Sequence, residues 1–184
     1  MKALLSSVAA LALMALPAFF VPFAEAGEAF TMEEYFNGQT VAKGVFVSKI
    51  AKTRREFDVR ITGTFDGAVL TLREDFVFAD GEIDQKTWVF KKSDGNTYVG
   101  TREDLVGTTL LTFKDNVAHF EYDVLLPRAG KKPVKVHFDD KMILRKDGIL
   151  LNRARVSKFG LPIGKVAVNF ARGTDFDAVE MPKL

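Results

Sequence analysis

Glu74, Arg102, Asp104, Asp140 and Asn152 occupy positions that an alternating strand pattern reserves for apolar side chains. Glu74 shares its parity with Ala68, Leu70, Leu72, Phe76 and Phe78, and Asp140 shares its parity with Val134, Val136, Phe138, Met142 and Leu144. Asn152 falls in step with Leu150, Ala154 and Val156, while Arg102 and Asp104 follow Tyr98 and Gly100 at the same two-residue interval. Residues two apart in a strand face the same way, so these polar groups are expected to point inward. A carboxylate taken out of water either keeps its proton or finds a partner. Arg102 is the expected partner of Glu74 or Asp140, because its planar fork holds two carboxylate oxygens at once.

Three kinds of chemistry fit such a set. One is a structural ion pair at a barrel end, or a bulge that turns the side chain back to solvent. A second is a polar patch in an apolar cavity that orients the head group of a ligand. The third is a carboxylate pair doing acid–base work, which the spacing does not distinguish from a salt bridge. Trp88, the single tryptophan, shares its parity with Lys86, Phe90 and Lys92 and is expected to close the core or line its interior. Tyr98 belongs to the same inward set. His119 and His137 fall on the polar faces of their strands. A metal site built on His137 and Asp139 would have two ligands two residues apart and no third, so no metal is expected. The chain has no nucleophile elbow, phosphate loop, dinucleotide fingerprint or paired helical histidines. Ser157-Lys158 is a bare dipeptide. No catalytic residue and no cofactor is assigned.

These groups need elements to hold them, and the pattern for most of the chain has period two. Turn residues recur every dozen or so positions, at Asp66-Gly67, Asp80-Gly81, Asp94-Gly95, Asp115-Asn116, Ala129-Gly130, Asp147-Gly148 and Phe159-Gly160. Between them about ten strands are expected, near 40–50, 54–65, 68–78, 85–92, 96–104, 106–113, 116–126, 133–145, 149–158 and 162–171. Connections this short imply an antiparallel meander, and a long meander curls closed to remove its edges. Ahead of the strands, Thr31-Met32-Glu33-Glu34 has the capping-box spacing, which predicts a short helix from Thr31 to Phe36. Seventeen phenylalanines supply a wide aromatic interior, able either to fill a small barrel or to wall a cavity.

The first 26 residues read as a cleaved export signal. Lys2 precedes an apolar run from Ala3 to Phe23, and Ala24-Glu25-Ala26 ends it with small residues around one larger one. Export to the periplasm is expected, the alternative being an uncleaved N-terminal membrane anchor. About 158 residues remain, enough for one domain over 27–172 followed by a loose tail over 173–184. With no cysteine there is neither a disulfide nor a lipid-anchor site. Lys and Arg exceed Asp and Glu by two, and the excess is scattered, which excludes a nucleic-acid footprint. Its densest groups, Lys52-Arg54-Arg55 and Arg128-Lys131-Lys132, lie at strand ends. Solvated turns that also blunt strand edges account for them, and an anion or lipid head-group site is the alternative.

A longer run of motifs carries a family resemblance. Asp75-Phe76-Val77-Phe78-Ala79-Asp80-Gly81-Glu82 precedes Trp88, Tyr98-Val99-Gly100 and Glu103-Asp104-Leu105-Val106-Gly107. Phe138-Asp139-Asp140-Lys141-Met142, Leu151-Asn152 and Lys158-Phe159-Gly160 follow, with Gly164 beyond. In this order and spacing they resemble the bacterial domain-of-unknown-function family 3833 over most of the mature chain. The resemblance implies an exported, lipocalin-like β protein without an established activity. Lys141 stands where an aromatic is expected, and Gly44-Val45-Phe46 has Phe in place of the tryptophan of true lipocalins. The expected fold is therefore all-β, a lipocalin-like barrel with a short N-terminal helix. The expected function is binding of a hydrophobic or amphipathic small molecule, an envelope lipid included, without chemistry. Glu74, Trp88, Tyr98, Arg102, Asp104, Asp140 and Asn152 would line the site. The alternatives are an isomerase or cyclase acting through Glu74, Arg102 and Asp140, and a structural or interaction module of the cell envelope. Peripheral contact with that envelope is a further expectation.

Overall fold

The capping box read at Thr31 forms. In the computed structural model, which describes residues 29–184 apart from Gly95 and Ala129, the Glu34 amide donates to Thr31 Oγ1 at 3.2 Å. The Thr31 amide donates in return to the Glu34 carboxylate at 3.2 Å, and α1 (Met32–Phe36) starts there. The expected export signal, residues 1–26, lies outside the described residues. A five-residue helix does not persist alone, so its anchorage must be tertiary. The Tyr35 hydroxyl lies 2.9 Å from the Phe170 carbonyl oxygen and 3.1 Å from that of Gly148, and it accepts from the Leu150 amide at 3.3 Å. Burial raises the Tyr35 phenol to about 12, which keeps its donor in place. Phe36 meets Phe170 edge to face, and its carbonyl oxygen would lie 1.7 Å from a Cβ at Gly63. Only glycine lets the helix backbone approach the barrel wall so closely.

Ten strands follow among the described residues: β1 (Gly38–Ser48), β2 (Thr53–Phe65), β3 (Val69–Phe78), β4 (Ile83–Lys92) and β5 (Thr97–Thr101), then β6 (Thr109–Lys114), β7 (Val117–Arg128), β8 (Lys131–Leu144), β9 (Leu150–Lys158) and β10 (Leu161–Arg172). Each pairs antiparallel with its neighbours in sequence, and β1 pairs with both β2 and β10, so the meander closes. In the closed order β1-β10-β9-β8-β7-β6-β5-β4-β3-β2, strands β3 and β8 lie five places apart, on opposite walls. Turns after even strands gather at the end covered by α1, and turns after odd strands form the opposite rim.

The fifth and sixth strands are shorter than the expected 96–104 and 106–113. Residues 102–108 leave the ladder and fold against β7 instead. There Val106 donates to the Asp123 carbonyl and Leu125 to the Asp104 carbonyl, both at 2.9 Å, and Leu105 bridges Val124. Arg102 and Asp104 therefore project from a loop, not from a strand. The tail also differs from the loose segment expected over 173–184. Phe176–Ala178 forms a 3-10 turn, and Val179 is buried against Val41 and Ala171. The Asn169 side chain donates to the Glu180 carbonyl at 3.0 Å. Removing one valine side chain from water stabilises by roughly 1.5–3 kcal/mol, enough to hold a short segment.

Inward parity places Phe90, Tyr98, Phe120, Met142, Leu150 and Phe170 in the main core, joined by Phe30, Met32 and Phe36 of the helical segment. A separate cluster of Val124, Val136 and Val156 packs toward the opposite rim. Between them the aromatic interior leaves space unfilled.

Candidate functional site

That space is a cavity of about 210 Å³, room for about seven waters. It lies below the range of about 300–1,000 Å³ of pockets that enclose drug-sized ligands. Met32 and Phe36 of α1 floor it, Phe57, Phe76 and Phe138 narrow it toward the far rim, and a polar belt crosses its middle. Five groups make the belt: Glu74 from β3, Arg102 from the 102–108 loop, Tyr122 from β7, Asp140 from β8 and Asn152 from β9. Glu74 and Asp140 face each other because β3 and β8 are opposite walls.

Arg102 does not pair with Glu74 or Asp140 as the sequence suggested. Its Nε donates to Asp104 at 2.7 Å, a contact that the loop creates by placing the two residues side by side off the ladder. The guanidinium lies 4.8 Å from the Trp88 ring centroid and 5.7 Å from that of Tyr122, within cation–π range of both. Burial pulls the Arg102 pKa down, but the Tyr122 oxygen, Asp104 and Glu74 outweigh it and hold the guanidinium charged. Its charge is thus matched before any ligand arrives.

The opposing carboxylates are left poorly compensated. Burial pushes Glu74 up to about 7 against the pull of Arg102, and no hydrogen bond to its carboxylate forms among the described residues. Asp140 is pushed up to about 6, again by burial, against the Asn152 amide, which donates to its Oδ1 at 2.5 Å, and against the neighbouring Tyr122 hydroxyl and Arg102. Asp140 Oδ2 and Asn152 Oδ1 are both buried without a partner. Burial and the facing charge of Asp140 hold the Tyr122 phenol protonated, well above its ordinary value. Near neutral pH the belt carries an excess of negative charge and of unused acceptors. Buried polar atoms are almost always hydrogen-bonded, so Asp140 Oδ2 and Asn152 Oδ1, beside the half-buried Glu74 carboxylate, call for donors from elsewhere.

Of the seven residues expected to line a site, Glu74, Trp88, Arg102, Asp140 and Asn152 line this cavity. Trp88 stacks on Phe90 at 5.1 Å and meets Tyr122 edge to face at 5.3 Å. Asp104 stands behind Arg102, with Lys86 at 3.9 Å. Tyr98 is fully buried but faces α1, where its hydroxyl donates to Glu33. Burial, together with that acceptor, pushes the Tyr98 phenol up. Burial also acts to raise Glu33, yet the bonds from Lys92 and Tyr98 prevail and hold it below its ordinary value. The Tyr98–Glu33–Lys92 chain thus pins the helix and takes no part in the cavity. Tyr122 was missed as a site residue, although its parity with Phe120 placed it inside.

Outside the barrel, His137 pairs with Asp123 at 3.0 Å and not with Asp139. His119, Glu121 and Asp139 could each offer one atom to a metal, all within 4.8 Å. Arg155 already holds Asp139 at 2.6 Å, so a cation there would meet a positive neighbour.

A comparison with curated proteins gave no match. Among solved structures, an S-type phycobiliprotein lyase from Guillardia theta superposes with a TM-score of 0.55 at 11% identity, covering 79% of this chain and 94% of that one. At that identity the likeness is one of fold, a lipocalin-like antiparallel barrel. The sequence motifs agree with a family model that spans residues 13–172, described as a protein of unknown function, and the chain belongs to that family, DUF3833.

Proposed function

We propose that this chain is an exported binding protein, and that its barrel takes up a small apolar molecule bearing hydrogen-bond donors, without chemistry. Carrying or sequestering an amphipathic envelope molecule in the periplasm is the role this reading assigns. The observation that carries it is the pair of buried, unpartnered acceptors Asp140 Oδ2 and Asn152 Oδ1, beside the Glu74 carboxylate, inside an aromatic cavity. An amine, hydroxyl or N–H group on the ligand would satisfy them. A ligand carboxylate would add a third negative charge beside Glu74 and Asp140, where Arg102 is already matched by Asp104. The volume admits a short chain or a compact ring system, and a longer ligand must reach beyond the far rim or displace α1.

Competition against a fluorescent apolar probe tests this. Decylamine and decanol should displace the probe from the mature protein at least tenfold more effectively than decanoate at pH 7.5, and Ala154→Phe, which fills the cavity, should weaken all three. Equal or better displacement by decanoate would overturn the donor preference. No probe binding at micromolar concentration would leave a filled barrel, and the structural-module reading would replace this one. N-terminal sequencing of the exported protein should begin at Gly27, and recovery of Lys2 on membrane-bound material would refute soluble export.

One observation favours a second reading. A carboxyl near 7, such as Glu74, is half protonated at neutral pH and suited to proton transfer, as an isomerase or cyclase requires.

A further inference from the structure

The rim opposite α1 is chemically lopsided. Three of its turns are neighbours around the barrel, β1–β2, β9–β10 and β7–β8, because β2, β1, β10, β9, β8 and β7 are consecutive in the closed order. Their tips are apolar and exposed: Phe159 is 90% exposed, Ile50 74% and Leu161 68%, with Leu125 and Leu126 beside them. No acidic residue occurs in 48–55, 124–138 or 148–174. Over the same segments Lys49, Lys52, Lys131, Lys132 and Lys158 form no ion pair among the described residues. Acidic groups of this rim lie outside these segments: Asp80 and Glu82 on the adjoining β3–β4 turn, where Arg55 of β2 holds both, and Glu103 and Asp104 in the 102–108 loop.

Phe159 is costly where it stands. It takes the first central position of the two-residue turn joining Lys158 to Leu161, with φ 52°, and Gly160 follows with φ 76°. Such turns favour asparagine or glycine, and a bulky side chain at positive φ is strained. Strain of this kind is not offset by packing within the barrel, since the ring's contact is with Lys158 Nζ of the same turn, 5.3 Å from its centroid. Exposed apolar tips framed by lysines without carboxylate partners suit a surface that is anionic outside and apolar a few ångströms below.

We propose that this half-rim is a docking surface for an anionic lipid bilayer. Phe159, Ile50 and Leu161 enter the head-group region, while the five lysines sit over lipid phosphates. The acidic half stays raised, so the barrel rests tilted. Local net positive charge favours this occupant over a second copy of the chain, whose matching rim would be repelled. Docking goes beyond the ligand reading and stands without it.

Vesicle flotation with the mature chain tests the surface. Binding to phosphatidylcholine–phosphatidylglycerol vesicles (70:30) at 50 mM salt should exceed binding to pure phosphatidylcholine at least tenfold, and should weaken at 300 mM salt. Each lysine near an anionic surface is worth roughly fivefold in affinity, so Lys131→Glu with Lys132→Glu should weaken binding well over tenfold. Phe159→Ser should weaken it severalfold while leaving the thermal melt unchanged or raised, and should leave probe affinity in vesicle-free solution intact. Equal binding to both vesicle types, no binding to either, or indifference to Phe159→Ser and to the lysine reversals would overturn the proposal. A dimer in solution that Phe159→Ser dissociates would also overturn it, assigning the patch to a second copy.

Discussion

Glu74→Gln should make the protein more stable, by an amount that depends on pH in a direction opposite to that of carboxylates held low by a salt bridge. Glu74 is pushed from its ordinary value of 4.5 to about 7 by burial. Below pH 4.5 the carboxyl is protonated in both the folded and unfolded chain and contributes no pH dependence. Between 4.5 and about 7 the unfolded chain has released its proton and the folded chain has not. The folded state then binds more protons, and stability falls as pH rises. The difference between 4.5 and about 7 corresponds to on the order of 3 kcal/mol, lost by pH 8. Glutamine keeps the shape without the charge, so urea unfolding at pH 8 should find Glu74→Gln more stable by about 3 kcal/mol, shrinking to under about 1 kcal/mol at pH 5. Exposed or well-paired carboxylates such as Asp80 and Asp123 are held low and titrate below this window, so they leave the difference untouched. Parallel stability curves from pH 5 to 8, or a variant less stable at pH 8, would mean that Glu74 faces water and that the belt is misassigned.

Arg102→Ala should destabilise by about 3–5 kcal/mol in urea unfolding, because it strands Asp104 and removes the nearest positive charge from Glu74. A change within about 0.5 kcal/mol would place the guanidinium in solvent. Gly63→Ala drives a Cβ to 1.7 Å from the Phe36 carbonyl oxygen, so α1 must shift; a loss of about 1–3 kcal/mol and faster exchange of a bound probe should follow. Unchanged stability and exchange would show that the helix does not close the cavity.

Much of the fold was legible because strand geometry is local. A side chain's face follows from counting by twos, so the inward positions of Glu74, Asp140 and Asn152 could be read from Leu72, Met142 and Ala154 around them. The helix was legible for the same reason, since the Thr31–Glu34 box closes within one turn. Arg102 was legible as an inward charge but not as the partner of Asp104. Counting by twos assumed a strand that ends at Thr101, and the loop beyond it takes its shape from the distant Asp123 and Val124. The tail was misread because its apolar residues follow no strand or helix period, and only Val41 and Ala171, from strands far apart in sequence, give Val179 a place to bury.

By itself the sequence determined which residues face in, where the chain turns and that the interior is aromatic, since these depend on nearest neighbours along the chain. Tertiary structure alone decided which inward groups meet. Closure of β1 on β10 sets each strand's angular position around the barrel, and that sets Glu74 across from Asp140 and brings three basic turns side by side at one rim. Angular position is a property of the closed ring, and no stretch of the chain short of the whole ring encodes it.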